Sequence, residues 1–399
     1  MNPNHANDNG LTEVPPTGRR RCLPIGLIGM LAVIAVVESG LGRLDRALTP
    51  LGSACWREAG EAAGSVAVGA DVLCLGDSLI KIGVMPVLIE ERLGLSAYNL
   101  AVFGGTSQAS FVLLRRALDS GARPRAIVID AEASLLMWNS PRTNFREWSE
   151  LGRVRDIVEI AIAERDPGFL LLYAIQRGLH SARLRPEIRS AIVAVLVRKP
   201  PRIGPSELDV LQQQTSTNRG GFLNPFRAGK VHDTTQPDGE VPTVDLALYY
   251  PPNWAPRQQN AHYLERFLRL AESRGIDVFF VLPPIDPGLQ AELERRGVAE
   301  NPIKVVRYLS RRFPRLTVVD GRHAGYLRGN FIDPQHLDRA GATSFSRGLA
   351  RVIGDRLSST GDRSRWVALP NHHGPDDDPR LEDSNQSRVV LQGLGAVRR

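Results

Sequence analysis

Short apolar runs recur along the chain and alternate with longer amphipathic segments. Five runs have strand character, and they cover residues 71–75, 97–101, 126–130, 276–282 and 316–320. They lack the apolar–polar alternation of a strand that faces water on one side. Unbroken apolar runs are typical of strands covered on both faces, as in a parallel sheet. We therefore expect a five-stranded parallel sheet.

Helical periodicity fills the intervals between these runs. The segment 260–275 places Leu264, Phe267, Leu268 and Ala271 on one face and ends at Gly275, which is the pattern of a helix packed against a core. Strands that alternate with such helices predict an α/β domain with helices on both faces of the sheet. We assign this three-layer α/β/α domain to residues 71–357.

The interval between the third and fourth runs is much longer than the others. Residues 139–200 have helical character, whereas residues 200–257 are rich in Pro, Gly, Asn and Gln and are typical of a loop. We therefore predict a mostly helical insertion, 139–257, that caps the sheet. Beyond the domain, residues 358–399 have the polar composition of a disordered tail.

The N-terminal region has the pattern of a membrane-directed element. Residues 1–21 are polar and end in three arginines, and residues 22–37 carry no charge before Glu38. This run is short for a membrane span, which needs about 20 residues, and long for the core of a signal peptide. We favour an uncleaved signal anchor, 22–38, because no A-x-A cleavage site follows; a cleaved signal peptide stays open.

The arginines predict the orientation of that anchor. Positive residues stay on the cytoplasmic side, so residues 1–21 form a cytoplasmic tail and the C-terminal domain is extracytoplasmic. Residues 39–70 are then a juxtamembrane linker. The expected location is the cell membrane, with a single pass.

The net charge of +7 does not indicate nucleic-acid binding. Nearly all basic residues are arginines scattered among acids, rather than clustered on one helix or face. The three cysteines match no metal-ligand spacing, and the first strand is followed by no glycine-rich phosphate-binding pattern. We expect no metal and no cofactor, and a cytoplasmic nucleotide-binding protein is disfavoured.

Ligands of open parallel sheets bind at the carboxyl ends of the strands, and the loops there carry polar residues. Gly76, Asp77 and Ser78 follow the first run, and "FGGTS", which contains Gly104, follows the second. The segment "FIDPQHLDRAGA" follows the fifth. A nucleophile and a base on these loops would meet at one edge of the sheet.

These loops carry a family resemblance. "LGDSL" (75–79), "NLAVFGGT" (99–106) and "DPQHLDRAGA" (333–342) resemble the first, second and fifth sequence blocks of the SGNH, or GDSL-type, hydrolases, whose fold is three-layered and flavodoxin-like. The resemblance implies that Ser78 is a nucleophile, His336 its general base and Asp333 the acid that orients the histidine. It also implies an oxyanion hole made by the backbone N–H groups of Ser78 and Gly104.

The third block departs from the family pattern. The family places an asparagine there as a further oxyanion donor, but this chain has "DAEASLLMWN". The expected position falls near Glu132 to Ser134, and Asn139 comes a few residues late. Losing one oxyanion donor costs a factor of about 10² to 10³ in turnover. The departure weakens an enzymatic interpretation without excluding it.

One branch of the family is resembled most closely, because of the membrane segment and two further stretches, "PVLIEERLG" and "YNLAV". That branch modifies cell-surface polymers and includes the alginate O-acetylation proteins and the teichoic-acid D-alanyl transfer protein. The resemblance implies a membrane-anchored esterase or O-acyltransferase, acting on an acyl group of an extracytoplasmic polysaccharide or other acylated polymer through an acyl-serine. Its partners would be that polymer, the membrane and an envelope biosynthesis complex, with no nucleic acid.

A second class of function stays open. The degenerate third block would also fit a catalytically inactive SGNH-like protein that binds a glycan or scaffolds an assembly of the cell envelope. The two classes differ in what they require of the fold. An enzyme needs Ser78, His336 and Asp333 within hydrogen-bonding distance of one another.

Overall fold

The computed structural model describes residues 25–198, 205–223, 246–359, 364–372, 374 and 378–397. The predicted cytoplasmic tail, 1–21, lies outside the described residues, as do parts of the insertion. The described strands form one sheet: β1 (Val72–Leu75), β2 (Ala97–Asn99), β3 (Ala126–Ile129), β4 (Asp277–Leu282), β5 (Leu316–Asp320) and β6 (Trp366–Ala368).

The sheet is parallel throughout, with the strand order β2-β1-β3-β4-β5-β6. In the centre, Leu73 of β1 lies opposite Tyr98 of β2 and Ile127 of β3. The first five strands start and end within two residues of the predicted runs. The expectation of an α/β fold with a parallel sheet is confirmed, but the predicted strand number of five is wrong, because the described sheet has six.

The other regular elements of the described chain are helical. They are α1 (Ile25–Leu48), α2 (Leu51–Ala62), α3 (Ser78–Gly83), α4 (Pro86–Leu93), α5 (Ser107–Asp119), α6 (Ala133–Met137), α7 (Ser140–Thr143), α8 (Phe145–Leu151), α9 (Val154–Glu164), α10 (Pro167–Gly178), α11 (His180–Arg183), α12 (Arg185–Leu196), α13 (Glu207–Thr217), α14 (Leu246–Tyr249), α15 (Gln258–Ser273), α16 (Pro287–Arg295), α17 (Glu300–Arg312), α18 (Arg339–Leu357) and α19 (Ser384–Val397). Short 3₁₀ turns cover Val66–Gly69 and Arg328–Asn330.

Side chains alternate between the two faces of the sheet and join two separate cores. In β1, Leu73 and Leu75 pack into one core together with residues of α2, α5 and α15. Val72 and Cys74 pack into the other, with residues of α3, α4 and α18. Because both faces are covered by helices, β1 and β3 consist of apolar residues alone, which explains the unbroken runs in the sequence.

The sixth strand corrects the prediction of a disordered tail over 358–399. β6 pairs with β5, with Val318 opposite Trp366 and Asp320 opposite Ala368. Leu369 and Leu381 are buried in the second core, and α19 follows. Backbone pairing with β5 and the burial of these two leucines order the segment despite its polar composition.

The predicted juxtamembrane linker, 39–70, is also corrected. Its first part belongs to α1 and its second forms α2, whose Trp56 is fully buried. The indole packs edge-on against Trp148 of α8, with ring centroids 5.3 Å apart. Residues 51–70 are therefore part of the domain, whose first core includes Ala54, Cys55 and Ala59.

Residues 25–38 of the predicted anchor form the start of α1, and residues 22–24 lie outside the described residues. The stretch Gly26–Leu48 has a mean hydropathy of 1.8 in its most apolar window, none of which is buried. This helix is long and apolar enough to cross a membrane or to act as a signal anchor. Its polar end contacts the domain, because Arg183 pairs with Asp45 at 2.5 Å and Arg46 with Asp209 at 2.5 Å.

The insertion is more helical than predicted. Residues 139–198 form helices as expected, but α13 lies inside the segment 200–257 that composition assigned to a loop. Ser206 and Asp209 cap this helix reciprocally, with Asp209 N donating to Ser206 Oγ at 3.1 Å. Its Leu208 and Leu211 are buried in the first core. Residues 199–204 and 224–245 of the insertion lie outside the described residues.

Leu369→Ala tests the ordered C-terminal segment. Leu369 is 3% exposed, so its truncation leaves a cavity and should lower the free energy of unfolding by about 2–5 kcal/mol in urea denaturation. Val389→Ala, at a side chain 68% exposed on α19, is the matched control and should stay within about 0.5 kcal/mol of the unmodified protein. Equal free energies of unfolding for the two variants would contradict this packing and support the predicted disordered tail.

Candidate active site

The first element of the site is the tight turn between β1 and α3. Gly76 has a φ of +134°, and a Cβ there would lie 1.9 Å from Asp130 Oδ1, so the turn requires glycine. Asp77 caps α3 by accepting a hydrogen bond from Leu79 N at 2.7 Å. Ser78 is the first residue of α3. The turn therefore presents Ser78 at the carboxyl end of β1.

The second element is the loop between β5 and α18. The Asp333 carboxylate accepts hydrogen bonds from the backbone N–H groups of Gln335 and His336, each at 2.9 Å. Ile332 N donates to His336 O at 2.9 Å and closes the loop across its base. These bonds fix the backbone around His336 independently of the contacts that its side chain makes.

The structure brings the three predicted catalytic residues together. His336 Nε2 lies 2.8 Å from Ser78 Oγ, although 258 positions separate the two residues. His336 Nδ1 lies 2.9 and 2.8 Å from the two carboxylate oxygens of Asp333. With Nδ1–H donating to the carboxylate, the lone pair of Nε2 faces the hydroxyl of Ser78. This arrangement can take the proton of a serine that attacks a carbonyl.

The charges in the site raise the pKa of His336 and so favour its uptake of a proton. Burial lowers the pKa of His336, but the hydrogen bond and negative charge of Asp333 outweigh it and raise the pKa above its usual 6.5. Burial raises the pKa of Asp333, yet the bond to His336 dominates and lowers it. Asp333 therefore stays ionised and stabilises the protonated imidazole.

A pair of buried acids lies beneath the serine turn. Asp77 N donates to Asp130 Oδ1 at 3.1 Å, and both side chains are almost inaccessible. Burial, followed by the charge of Asp130, raises the pKa of Asp77 well above 3.8, and burial raises the pKa of Asp130 to about 7. The raised pKa of both carboxyl groups favours a protonated acid in this buried pair. Asp77 Oδ2 and Asp130 Oδ2 have no hydrogen-bond partner among the described residues.

Glu132 occupies the region where the resemblance placed an asparagine. Its carboxylate accepts hydrogen bonds from Ser134 Oγ at 2.5 Å, from Tyr250 OH at 3.2 Å and from Gln335 Nε2 at 3.2 Å. Both carboxylate oxygens are therefore engaged. Glu132, Tyr250 and Gln335 form the polar rim of the site. The Glu132 carboxylate offers no amide N–H to a substrate.

The turn that contains Gly104 lies against the serine turn. Val102 N donates to Gly76 O at 3.2 Å, and Gly104 has the left-handed φ of +63°. Two side chains hold this turn from outside. Trp56 Nε1 donates to Phe103 O at 2.9 Å, and Asn144 Nδ2 donates to Gly104 O at 3.0 Å.

Sequence reasoning missed Trp56, Asn144 and Asp130. Trp56 lies in the segment interpreted as a linker, and Asn144 lies in the insertion. Asp130 was the last residue of a predicted strand. No local pattern singles them out, because each acts through a contact with a residue at least 40 positions away.

No protein-family model matches this chain, and a search of curated proteins finds no significant match. Within the described residues, no group of three or more His, Cys, Asp or Glu side chains is arranged to hold a metal ion. The functional interpretation therefore depends on the geometry of the site.

The titration of His336 tests the electrostatics of the site. We expect its NMR titration midpoint above 6.5, since Asp333 favours the charged imidazole. Asp333→Asn removes that charge and should move the midpoint to lower pH by about one unit or more. Asp119→Asn, at a surface ion pair with Arg155, is the control and should leave it in place. A midpoint that Asp333→Asn leaves unchanged would contradict the assigned pairing.

Proposed function

We propose that this protein is a membrane-anchored SGNH-like esterase or O-acyltransferase. It acts on an acyl group of an extracytoplasmic polysaccharide or another acylated surface polymer through an acyl-Ser78 intermediate. The observation that carries the proposal is the continuous hydrogen-bonded chain from Ser78 Oγ through the His336 ring to the Asp333 carboxylate.

The proposed reaction has two half-reactions. Ser78 Oγ attacks the carbonyl carbon of the ester while His336 Nε2 takes the hydroxyl proton. The tetrahedral intermediate expels the alcohol, which receives that proton from His336, and the acyl group stays on Ser78. Water or an acceptor hydroxyl then attacks the acyl-serine, with His336 again as base, and Ser78 Oγ leaves with the proton. Asp333 stays ionised in both steps.

The developing oxyanion is assigned to the backbone N–H groups of Ser78 and Gly104. Support comes from the contact between their two turns and from the bonds that orient the second turn. Phe103 O, which accepts from Trp56, belongs to the same peptide group as the Gly104 N–H. Trp56 therefore fixes the direction of that N–H before substrate binds, which is what electrostatic preorganisation requires.

The sheet topology also supports the proposal. The order of the first five strands, 2-1-3-4-5, is that of flavodoxin-like folds, whose ligands bind where the strand order reverses. Here the reversal is at β1, and Ser78 follows β1. The helix α1, with its unburied apolar surface, supports an anchor that holds the domain at the membrane.

An inactive scaffold is the second candidate, and Glu132 is the observation that favours it. The carboxylate provides no oxyanion donor where SGNH-like enzymes have an asparagine. The close contact between His336 and Ser78 favours the enzyme, since a scaffold does not need this geometry. A comparison of two rates with the same acyl donor separates hydrolase from transferase. A hydrolase releases the free acid, whereas a transferase forms acylated sugar oligomers.

Ser78→Ala tests the proposed nucleophile. The full chain in detergent micelles should react with a fluorophosphonate probe at Ser78 and hydrolyse p-nitrophenyl esters. The variant should lose the label and about 10⁴-fold or more of kcat. Ser120→Ala, at an exposed serine, should keep both. Equal rates for Ser78→Ala and the unmodified protein would exclude the acyl-serine and favour the scaffold.

Trp56→Phe tests the orientation of the Gly104 turn. Loss of the indole N–H should lower kcat about tenfold with little change in KM, because only the transition state uses the oxyanion donor. Trp148→Phe is the matched control, since Trp148 is equally buried and its Nε1 has no hydrogen-bond partner among the described residues. Equal kcat values for the two variants would assign Trp56 a packing role alone.

A further inference from the structure

We infer that an apolar cavity beside Ser78 receives the acyl group of the substrate, and that this group is a short hydrocarbon chain rather than acetyl. The inference rests on the proposed function, because it assigns one part of the ester to the cavity. It adds a substrate class that neither the catalytic residues nor the fold specifies.

The cavity lies at the carboxyl ends of β3 and β4, beneath α16 and α17, and has a volume of about 110 Å³. Its lining is adjacent to the catalytic residues in the chain. Leu79 lines it and directly follows Ser78, and Gln335 lines it and directly precedes His336. Gln335 also donates to Glu132, a further lining residue, at 3.2 Å. The cavity therefore lies beside the two loops that carry Ser78 and His336.

The strand order places the cavity opposite the assigned oxyanion donor. The Gly104 turn follows β2 and the cavity follows β3 and β4, so the two lie on opposite sides of β1, which carries Ser78. With the oxyanion directed to Gly104, the acyl chain or the alcohol faces the cavity. The histidine loop follows β5 on the cavity side, so the lining of the cavity decides between the two. A mostly apolar lining accepts the acyl chain rather than a sugar alcohol.

The lining determines the chemistry of that chain. The interior is formed by aliphatic side chains, among them Val281, Ile285, Leu293 and Ile303. A sugar hydroxyl inside would lack hydrogen-bond partners along these walls, which is unfavourable. Each methylene buried there improves binding about fourfold, on the usual transfer free energy of a methylene group. The cavity therefore favours hydrocarbon over sugar.

The polar rim does not offer a site for a charged acyl group. Glu132, Tyr250 and Gln335 bond to one another, with Gln335 Nε2 donating to Tyr250 OH at 3.1 Å. The second oxygen of Glu132 is taken by Ser134. Arg322 also lines the cavity, but its guanidinium donates to both carboxylate oxygens of Asp320, at 2.9 and 2.8 Å. The remaining acid of the lining, Asp130, would disfavour an anionic chain. Entry of an uncharged chain therefore leaves these pairs intact.

The volume sets the length of the chain. An apolar protein cavity of about 150 Å³ holds a six-carbon ring, and this cavity is somewhat smaller. A linear acyl group of about four to six carbons is the expected occupant on that scale. Acetyl would leave most of the cavity empty, and a long fatty acyl chain would exceed it.

The first test is a series of p-nitrophenyl esters with the full chain in detergent micelles, beside fluorophosphonate labelling of Ser78. We expect kcat/KM to rise at least tenfold from acetate to pentanoate and to fall again at decanoate. A flat profile, or one that is highest at acetate, overturns the inference. The proposed function stands in that case if Ser78 is labelled, whereas absence of any labelling removes both.

The second test fills the cavity. Ala299 lines the cavity and is half-buried, so Ala299→Leu should lower the ratio of pentanoate to acetate kcat/KM about tenfold. Ala291→Leu adds the same side chain at an exposed position of α16 and should keep the ratio. An unchanged ratio in Ala299→Leu overturns the inference. If Ala299→Leu does not fold, the chain-length profile of the unmodified protein decides.

Discussion

The hydrogen bond between Ser78 Oγ and His336 Nε2, 2.8 Å long, depends on the parallel geometry of the sheet. Parallel strands bring their carboxyl ends to the same edge, so loops that are distant in the chain meet there. Ser78 follows β1, and the histidine loop follows β5. The contact also requires rigid loops at both ends. The Asp77 cap fixes the serine, and the backbone bonds to Asp333 fix the histidine.

Beneath this contact, the site holds more acidic groups than its chemistry uses. Burial raises the pKa of both Asp77 and Asp130, and Glu132 is held by three hydrogen bonds from its neighbours. Burying isolated carboxylates at such density would be strongly unfavourable. The raised pKa of the buried pair and the full hydrogen bonding of Glu132 make the arrangement compatible with an ionised Asp333 beside the histidine.

The parts of the chain outside the sheet also act on the site. α2 contributes Trp56 and the insertion contributes Asn144, and both hold the Gly104 turn through its carbonyl groups. Arg57 of α2 pairs with Asp45 of α1 at 2.9 Å. The helix able to span a membrane is therefore linked, through one ion pair and one helix, to the peptide group assigned to the oxyanion.

The sequence by itself determined the first five strands, the tight turns around Ser78 and Gly104, and the residue types at the carboxyl edge. These features are local, because apolar runs, glycine conformations and capping residues act over a few positions. Only the tertiary structure decided the sixth strand, the packing of α2, the Asp77–Asp130 pair, the support from Trp56 and Asn144, and the apolar cavity. Each of these is a contact between segments far apart in the chain. Its free energy depends on a contacting residue that cannot be identified from the local sequence.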